Sequence, residues 1–463
     1  MKYILISLCL LLSACATENI TSDRLLYPYE PSVMCQGCHQ ETYEQYRNSM
    51  HSKSFSNPLF NVQYFKEMVP RALKNPKLAA DARKCLKCHA PVVYMNFSGL
   101  VSTPQQAAKY ESGVTCDFCH TLAGHAENGD YVQNPSGKKQ GPLTSVSDLF
   151  NPANSQHAEY SGYLPMAEFC ESCHSATNHL GMGVESTFNE WSKSRYGQND
   201  DTCQGCHMNR NGYLKKGVAE YDSGVAAHMS IGNTDIEQKI HKRLHNHSFP
   251  GGHSSNQLEG ALVVQFRVGS RSPDVQGRFP FRIHINNERS GHKIPSGSSA
   301  LRFMWVTVTA MADNGTMFPV LLLNSKRNGA TDYAVAGASP DDTAILGNDV
   351  PPGARIYRSV LVDAKGRQSL FYPDATRHVF DNRLKATEIR NEGYELQVPP
   401  NYSGQITLSA TISYRIAPSS FATNAQVADF KPVVIASQQK KISFGLYAEL
   451  SESSEILVSG VRW

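Results

Sequence analysis

Ten cysteines of this 463-residue chain fall into five Cys-x-x-Cys-His units, and that spacing has a definite chemistry. The units are Cys35-Gln36-Gly37-Cys38-His39, Cys85-Leu86-Lys87-Cys88-His89, Cys116-Asp117-Phe118-Cys119-His120, Cys170-Glu171-Ser172-Cys173-His174 and Cys203-Gln204-Gly205-Cys206-His207. Two thiols three positions apart can both form thioethers along one edge of a haem, and the next residue places an imidazole under the iron. The sequence therefore predicts five covalent haem c groups, with the proximal iron ligands His39, His89, His120, His174 and His207.

Zinc binding and disulfide exchange are the competing uses of paired cysteines. A four-cysteine zinc site takes two Cys-x-x-Cys units, so five units leave one over, and zinc needs no His after each second Cys. A redox Cys-x-x-Cys site usually stands alone near a βαβ pattern. The two remaining cysteines, Cys9 and Cys15, lie in the N-terminal segment, so none is left for a disulfide.

The sixth coordination position of each iron decides what such a protein can do. A second imidazole gives a six-coordinate iron suited to electron transfer, whereas an open position can bind a substrate. The chain has 17 His, so twelve remain after the proximal ligands. They are His51, His125, His157, His179, His228, His241, His245, His247, His253, His284, His292 and His378. We expect five of these as distal ligands: His51, His157, His247, His253 and His292.

Local sequence favours these five histidines. His51 ends a short helical pattern, and His157 lies in a polar stretch before the fourth unit. His247 and His253 frame two glycines, which allow the backbone to approach a flat ligand closely. His292 lies in a Gly-His-Lys-Ile-Pro-Ser-Gly loop between two strand patterns. His284 instead alternates with apolar residues, so we expect it to face away from a sheet core.

The N-terminus has the pattern of an export signal. Lys2 precedes an apolar run that ends in Leu12-Ser13-Ala14-Cys15, a sequence that resembles the processing site of bacterial lipoproteins. We therefore expect a signal peptide over residues 1–14, an acylated Cys15 and a tether over residues 15–34. Ala16 favours the outer membrane, at its periplasmic face or the cell surface. An ordinary secretory signal with a chance cysteine is the alternative.

Composition sets two further limits. The formal net charge is +3 and no long basic run exists, so we expect no nucleic-acid partner. Residues 101–140 contain only four Ile, Leu or Val residues: Val101, Val114, Leu122 and Val132. Such a segment cannot build an ordinary aliphatic core, so we expect the haem macrocycles to supply it and folding to depend on haem loading.

The elements that position the motifs divide into two regions. Residues 35–255 hold every motif and predict short helices with long loops, a pentahaem cytochrome c domain. From residue 256 to 463 period-two patterns begin, as in Phe281–Ile285 and Ile406–Tyr414, which predicts an immunoglobulin-like β-sandwich. The expected class is therefore α+β and multidomain. A short repeat also relates residues 42–49 to residues 187–194, and aligns His51 with Tyr196.

Several of these motifs together resemble a known family. They include Gly113-Val114-Thr115 before the third unit, Glu190-Trp191-x-x-Ser194, Thr202 before the fifth unit, and the His247 to His253 and His292 segments. The chain resembles the bacterial multihaem cytochromes related to the tetrahaem cytochromes of ammonia oxidisers and to the hydroxylamine oxidoreductase group. The resemblance implies closely packed, mostly bis-His haems, and implies that His51 is a distal ligand.

The resulting functional expectation is electron transfer in the periplasm or at the outer membrane. We expect other cytochromes or quinol-linked donors as redox partners. The lipid anchor would attach the protein to the membrane, and it could assemble with a porin or in a filament. The alternative is a reductase of a small nitrogen or sulfur compound with one open iron. All five units end in His, and no marker of a catalytic haem is visible, which favours transfer.

Overall fold

A computed structural model describes residues 28–127, 129–141, 158–209, 222–231, 234–269, 272–323 and 332–445 of the chain. The architecture is mixed α+β, as expected, with short helices in the first half and sheets in the second. No helix within these ranges has both the length and the apolar character needed to span a bilayer.

Short helices carry the haem motifs. Their bounds are Ser32–Cys35, Gln40–Arg47, Pro58–Asn61, the π-helix Val62–Met68, Val69–Ala72, Pro76–His89, Pro91–Asn96, Pro104–Ala107, Cys116–Thr121, Glu168–His174, Thr187–Ser192, Arg195–Gln198 and Cys203–His207. Proline recurs at the first helical position, where its missing N–H costs nothing. The Asn57 and Asn75 side chains cap two of these helices by accepting backbone N–H groups.

Short strand pairs connect the helices. The strands are Leu122–His125, Tyr131–Gln133, Lys139–Gly141, Ala158–Tyr160, Ala176–Thr177, Gly183–Glu185, Asp222–Ile231 and Thr234–Leu244. Asp222–Ile231 and Thr234–Leu244 pair antiparallel. The sequence predicts long loops for this part of the chain. The Gly232-Asn233 dipeptide between these two strands is the hairpin signal in the sequence.

Aromatic rings form part of the core of the haem region. Tyr110, Phe118 and Tyr131 are buried beside Val101 and Leu122. This agrees with the scarcity of aliphatic residues over 101–140, because flat rings replace branched side chains there. The Phe118 and Tyr131 rings meet edge to face, with centroids 4.8 Å apart.

Two antiparallel sheets form most of the second half. One sheet joins Val320–Leu322, Ile389–Gln397, Arg278–Asn286 and Val263–Arg267; the other joins Met317–Phe318, Phe303–Ala312, Gly404–Arg415 and Val433–Phe444, with Arg355–Tyr357 beside Phe303–Ala312. A single apolar cluster takes residues from both sheets, including Ile283 and Ile412, so their inner faces share one core. Along Arg278–Asn286 buried residues alternate with more exposed ones, as the period of two predicts.

Smaller elements complete this half and connect it to the haem region. They are Ser255–Leu258, Asp342–Ile345, Ser359–Val362, Tyr372–Asp374, Arg377–Asp381 and Ser419–Ala425. Arg71 forms a bidentate pair with Asp374, at 2.5 and 3.1 Å. The Asn178 amide donates to the Tyr372 and Ala375 carbonyl oxygens at 2.9 and 2.7 Å. The sheet region therefore packs directly against the motif-bearing region.

Candidate haem sites

Helical turns bring the two cysteines of a unit to one side of the backbone. The third and fifth units form the helices Cys116–Thr121 and Cys203–His207. Thr115 and Thr202 cap them, since each side chain accepts the backbone N–H three residues on. Residues three apart on a helix are neighbours, so both thiols of each unit point to the same place.

A cavity of about 1390 Å³ runs between the units. Both cysteines and the histidine of each of the first four units line it. The wall also includes His51, His247 and His253. Both apolar and polar side chains face it, as a large macrocycle with ionised propionates requires.

Three pairs of imidazole rings face each other across gaps that fit one iron. The ring centroids of His207 and His292 are 6.3 Å apart, those of His120 and His247 are 6.3 Å apart, and those of His51 and His174 are 6.4 Å apart. Two metal–nitrogen bonds of about 2 Å, with ~1.1 Å from each nitrogen to its ring centre, require about 6 Å. These three pairs therefore fit bis-His haem iron.

Hydrogen bonds fix the orientation of several of these rings. The Nδ1–H groups of His120 and His207 donate to the carbonyl oxygens of Gln140 and Pro250, at 2.6 and 2.8 Å. Those of His89, His247 and His292 meet the carbonyl oxygens of Ser54, His245 and Lys293 at 3.1, 2.9 and 3.0 Å. This contact selects the tautomer whose Nε2 carries a lone pair for a metal.

Burial keeps these imidazoles neutral. It lowers the pKa of both His51 and His247 to about 3, with a contribution in the same direction from the facing imidazoles. Burial likewise lowers the pKa of His207 to about 4, with a contribution from His292. Neutral imidazole is the form that binds iron, so the rings are ready for metal at neutral pH.

The remaining expected ligands have different surroundings. His253 lines the cavity beside Arg302, and burial lowers its pKa to about 4, yet none of the three pairs includes it. His157 and Cys15 lie outside the described residues. The His89 ring stacks on Phe60, with centroids 4.2 Å apart. As expected, His284 lies between two buried isoleucines on the outward side of its strand, where it accepts a hydrogen bond from Arg267.

Two half-buried histidines outside the five expected distal ligands also lie near the motifs. His125 has its Nδ1 2.7 Å from the Tyr163 hydroxyl, while its Nε2 is buried without a hydrogen-bond partner. His245 lines the cavity, and burial lowers its pKa. In the sequence, His125 comes five positions after His120, and His245 comes two positions before His247.

Cysteines of different units touch one another. The thiols of Cys35 and Cys116, of Cys88 and Cys173, and of Cys170 and Cys203 lie close enough to shift each other's pKa. These contacts place the first unit beside the third, the second beside the fourth, and the fourth beside the fifth. The attachment edges of neighbouring macrocycles would therefore lie close together.

Comparison with known proteins agrees with this chemistry. Residues 34–121, which contain the first three units, match the family model of cytochrome c554 and c-prime. Cytochrome c-554 of Nitrosomonas europaea is 26% identical over 168 residues, which cover 35% of this chain and 66% of that relative, just under two thirds of its length. The crystal structure of a penta-heme cytochrome c552 from Thermochromatium tepidum superimposes with a TM-score of 0.58 at 21% identity, covering 89% of this chain and 99% of that one.

The facing imidazoles and the repeated units define a class, the multihaem cytochromes c. With these matches, the chain is similar to the multihaem c-type cytochromes related to cytochrome c554, whose family model covers residues 34–121.

Proposed function

We propose that this protein carries five haem c groups and transfers electrons between partner proteins outside the cytoplasm. The observation that carries the proposal is the set of three imidazole pairs separated by 6.3–6.4 Å. An iron held between two imidazoles has no position for a substrate, so its chemistry is limited to gaining and losing an electron.

The residues that would hold the haems are the ten cysteines and five histidines of the motifs. The distal ligands of three sites are then His51 opposite His174, His247 opposite His120, and His292 opposite His207. His157 and His253 remain our candidates for the other two sites. The bound groups supply reversible one-electron redox chemistry, and the protein fixes their spacing and excludes water.

The cysteine contacts support a continuous path. Close thiols link unit one to unit three, unit two to unit four, and unit four to unit five. Cys119 of the third unit is also near Cys173 of the fourth: burial raises the pKa of Cys119 to about 12, and Cys173 contributes to this shift. The first unit offers the entry or exit point, because Cys38 is exposed while the other motif cysteines are partly buried. Met34 beside it lines the cavity and is 68% exposed. Electrons would exchange with a partner at this edge.

We propose the remaining assignments on the same basis. Residues 35–255 would form the pentahaem domain, and residues 256–463 an immunoglobulin-like sandwich that carries a distal ligand and offers a docking face. Partners would be other cytochromes or quinol-linked donors, with assembly on a porin or filament. The acylated Cys15 would hold the protein at the outer membrane.

A second candidate, reduction of a small nitrogen or sulfur compound, draws support from the second unit. Within the described ranges, the ring that stacks on His89 is Phe60 and not a second imidazole. An iron bound by His89 with an open sixth position could take a ligand.

Mass spectrometry and spectroscopy of the purified full-length protein test the electron-transfer and the reductase proposals. Mass spectrometry should show five haem additions, and fewer would contradict the cofactor count. Electron paramagnetic resonance of the ferric protein should show low-spin iron throughout, and carbon monoxide should leave the ferrous spectrum unchanged. One high-spin iron that binds carbon monoxide or nitrite would favour the reductase.

A further inference from the structure

The cavity wall includes a cation outside the haem motifs, Arg302, with Gly297 and His253 on the same wall. Gly252 adjoins Arg302, since a Cβ placed there would lie 2.7 Å from the Tyr414 hydroxyl and 3.4 Å from the Arg302 guanidinium. The guanidinium thus lies between two glycines, close to a tyrosine hydroxyl and an imidazole.

Arg302, which is partly buried, differs from the fully buried arginines of the sheet region. Arg355, Arg358, Arg383 and Arg415 each pair with a carboxylate, at 2.9, 2.7, 2.7 and 3.1 Å respectively. For Arg302 the contact is a backbone one, in which Nη1 donates to the Ser296 carbonyl oxygen at 2.6 Å. Among the described residues, no carboxylate forms an ion pair with it. Arg302 is partly buried, and a guanidinium that loses water contacts without gaining a counter-charge carries a desolvation cost that a bound anion would offset.

Buried donors around Arg302 have nothing to donate to. The Nε atom of Arg302 and the Tyr414 hydroxyl are both buried without a hydrogen-bond partner. Burial raises the pKa of Tyr414, so its hydroxyl stays protonated and remains a donor. The nearby carboxylate of Glu185, on the same cavity wall, already accepts from the backbone N–H of Thr187 at 2.9 Å. An acceptor with two oxygens would satisfy both buried donors at once.

We propose that Arg302, with the Tyr414 hydroxyl beside it, is a binding site for a carboxylate or a small oxyanion in the wall of the cavity. Two sources have this chemistry. One is a propionate of a haem bound in the cavity, in which case the site rests on the proposed haem loading. The other is a free anion that enters from solvent.

The two glycines are part of the site. Gly297 has φ +73°, a backbone conformation that side chains disfavour, and a Cβ there would overlap the Arg302 guanidinium. Gly252 leaves the space between Tyr414 and Arg302 open. A side chain at Gly297 would displace the Arg302 guanidinium, and one at Gly252 would crowd the Tyr414 hydroxyl.

The test uses the haem-loaded, full-length protein with Arg302→Gln and Arg302→Lys. Arg367→Gln is the matched control, since it removes an equal charge from an exposed position in the same region, where the side chain is 70% exposed. Redox titration reports the haem potentials without added anion. Isothermal titration with acetate and with nitrite, at constant ionic strength, reports binding of a free anion.

If the partner is a haem propionate, Arg302→Gln should lower the reduction potential of one haem, because loss of a nearby positive charge favours the ferric state. Acetate and nitrite should then bind neither the wild type nor Arg302→Gln. A free anion predicts saturable binding of acetate or nitrite to the wild type, weakened at least tenfold in Arg302→Gln and partly restored in Arg302→Lys. Potentials and anion binding identical to those of Arg367→Gln would overturn the proposal.

If Arg302→Gln fails to fold, Tyr414→Phe replaces it. This variant removes one hydroxyl. It should shift the same haem potential, or weaken binding of the same anion, by a smaller amount than Arg302→Gln does. No change in either would again overturn the proposal. Haem count by mass spectrometry stays a separate measurement, so failure of the five-haem assignment is distinguishable from failure of this site.

Discussion

The imidazole rings of His207 and His292 lie 6.3 Å apart and within 10° of parallel, although they come from different halves of the chain. His207 ends the helix of the fifth motif, and His292 lies in the loop between strands Arg278–Asn286 and Phe303–Ala312. The sheet region therefore contributes the imidazole that faces His207 across a gap wide enough for one iron.

Several hydrogen bonds hold this loop against the motif region. The Asn287 amide donates to the His292 carbonyl oxygen at 3.0 Å, and the Lys293 N–H donates to the Glu190 carboxylate at 3.1 Å. Arg383 bridges Glu190 and Asp381 at 2.7 and 2.9 Å, with both Arg383 and Glu190 nearly buried. The position of the His292 ring is thus set by charges on both regions.

Replacing His292 with Ala should open one iron. The ferric protein should gain a single high-spin signal in electron paramagnetic resonance, and the ferrous protein should bind one carbon monoxide, because no second imidazole would face His207. His284→Ala is the control, since that ring lies on the outward side of the adjacent strand and should leave the spectrum unchanged. An all-low-spin His292→Ala protein would contradict the assignment.

Asp381 should make the stability of this junction depend on pH. Burial alone would raise its pKa, but hydrogen bonds and charge from Arg383 and Lys293 outweigh burial and lower the pKa to about 2. A carboxyl whose pKa is lower in the folded state stabilises the protein above its unfolded pKa and loses this effect as pH falls toward 2. Wild type should therefore exceed Asp381→Asn in free energy of unfolding by about 2 kcal/mol at pH 5, and the difference should shrink toward pH 2.

Denaturant titration at several pH values measures this difference. Asp313→Asn serves as the control because Asp313 is exposed in the turn between Phe303–Ala312 and Met317–Phe318. A gap between wild type and Asp381→Asn that stays constant from pH 5 to pH 2 would refute the electrostatic explanation.

The motif cysteines and proximal histidines could be predicted from spacing because their chemistry is local to five residues. The sequence could narrow the set of candidate distal histidines, but it could not show which histidine faces which proximal one. The two rings of a pair are distant in sequence, and only tertiary packing brings them together. The repeat that aligned Tyr196 with His51 shows this limit. In the structure, Tyr196 packs against Gly291, which precedes His292, so an imidazole from the sheet region lies next to the second copy of the repeat.

Other features left no periodic signal in the sequence. The solitary charge of Arg302 is visible only once the positions of surrounding carboxylates are known. The contacts between cysteines of different units depend on how helices far apart in sequence meet. The alternating strands, by contrast, were predictable because burial on one face repeats at every second residue.

Replacing Cys15 with Ser should release the protein from the membrane. The acyl chains attached at Cys15 would be its anchor, because nothing else in the sequence is expected to enter the bilayer. Fractionation followed by haem staining would show the variant in the soluble fraction, with its haem content unchanged. Cys15→Ser protein that still sediments with membranes would defeat the lipoprotein assignment.

Gly113→Ala should disturb the iron site of His51 more than an ordinary glycine substitution does. Gly113 has φ +98°, and a Cβ there would overlap the carbonyl oxygen of Ser52 and lie 3.1 Å from that of His51. The next residue, Val114, donates its N–H to the His51 carbonyl oxygen at 2.9 Å, so relief of the overlap must move the His51 backbone.

Gly137→Ala is the matched control for this prediction. Gly137 also has positive φ, +70°, but a Cβ there would contact nothing within 4 Å. The control should lose about 1 kcal/mol of stability from backbone strain alone, whereas Gly113→Ala should lose more than about 3 kcal/mol. Because His51 faces His174 across 6.4 Å, Gly113→Ala should also alter the low-spin signal of one haem. Equal losses in the two variants, with unchanged spectra, would show that the close approach at Gly113 does not position His51.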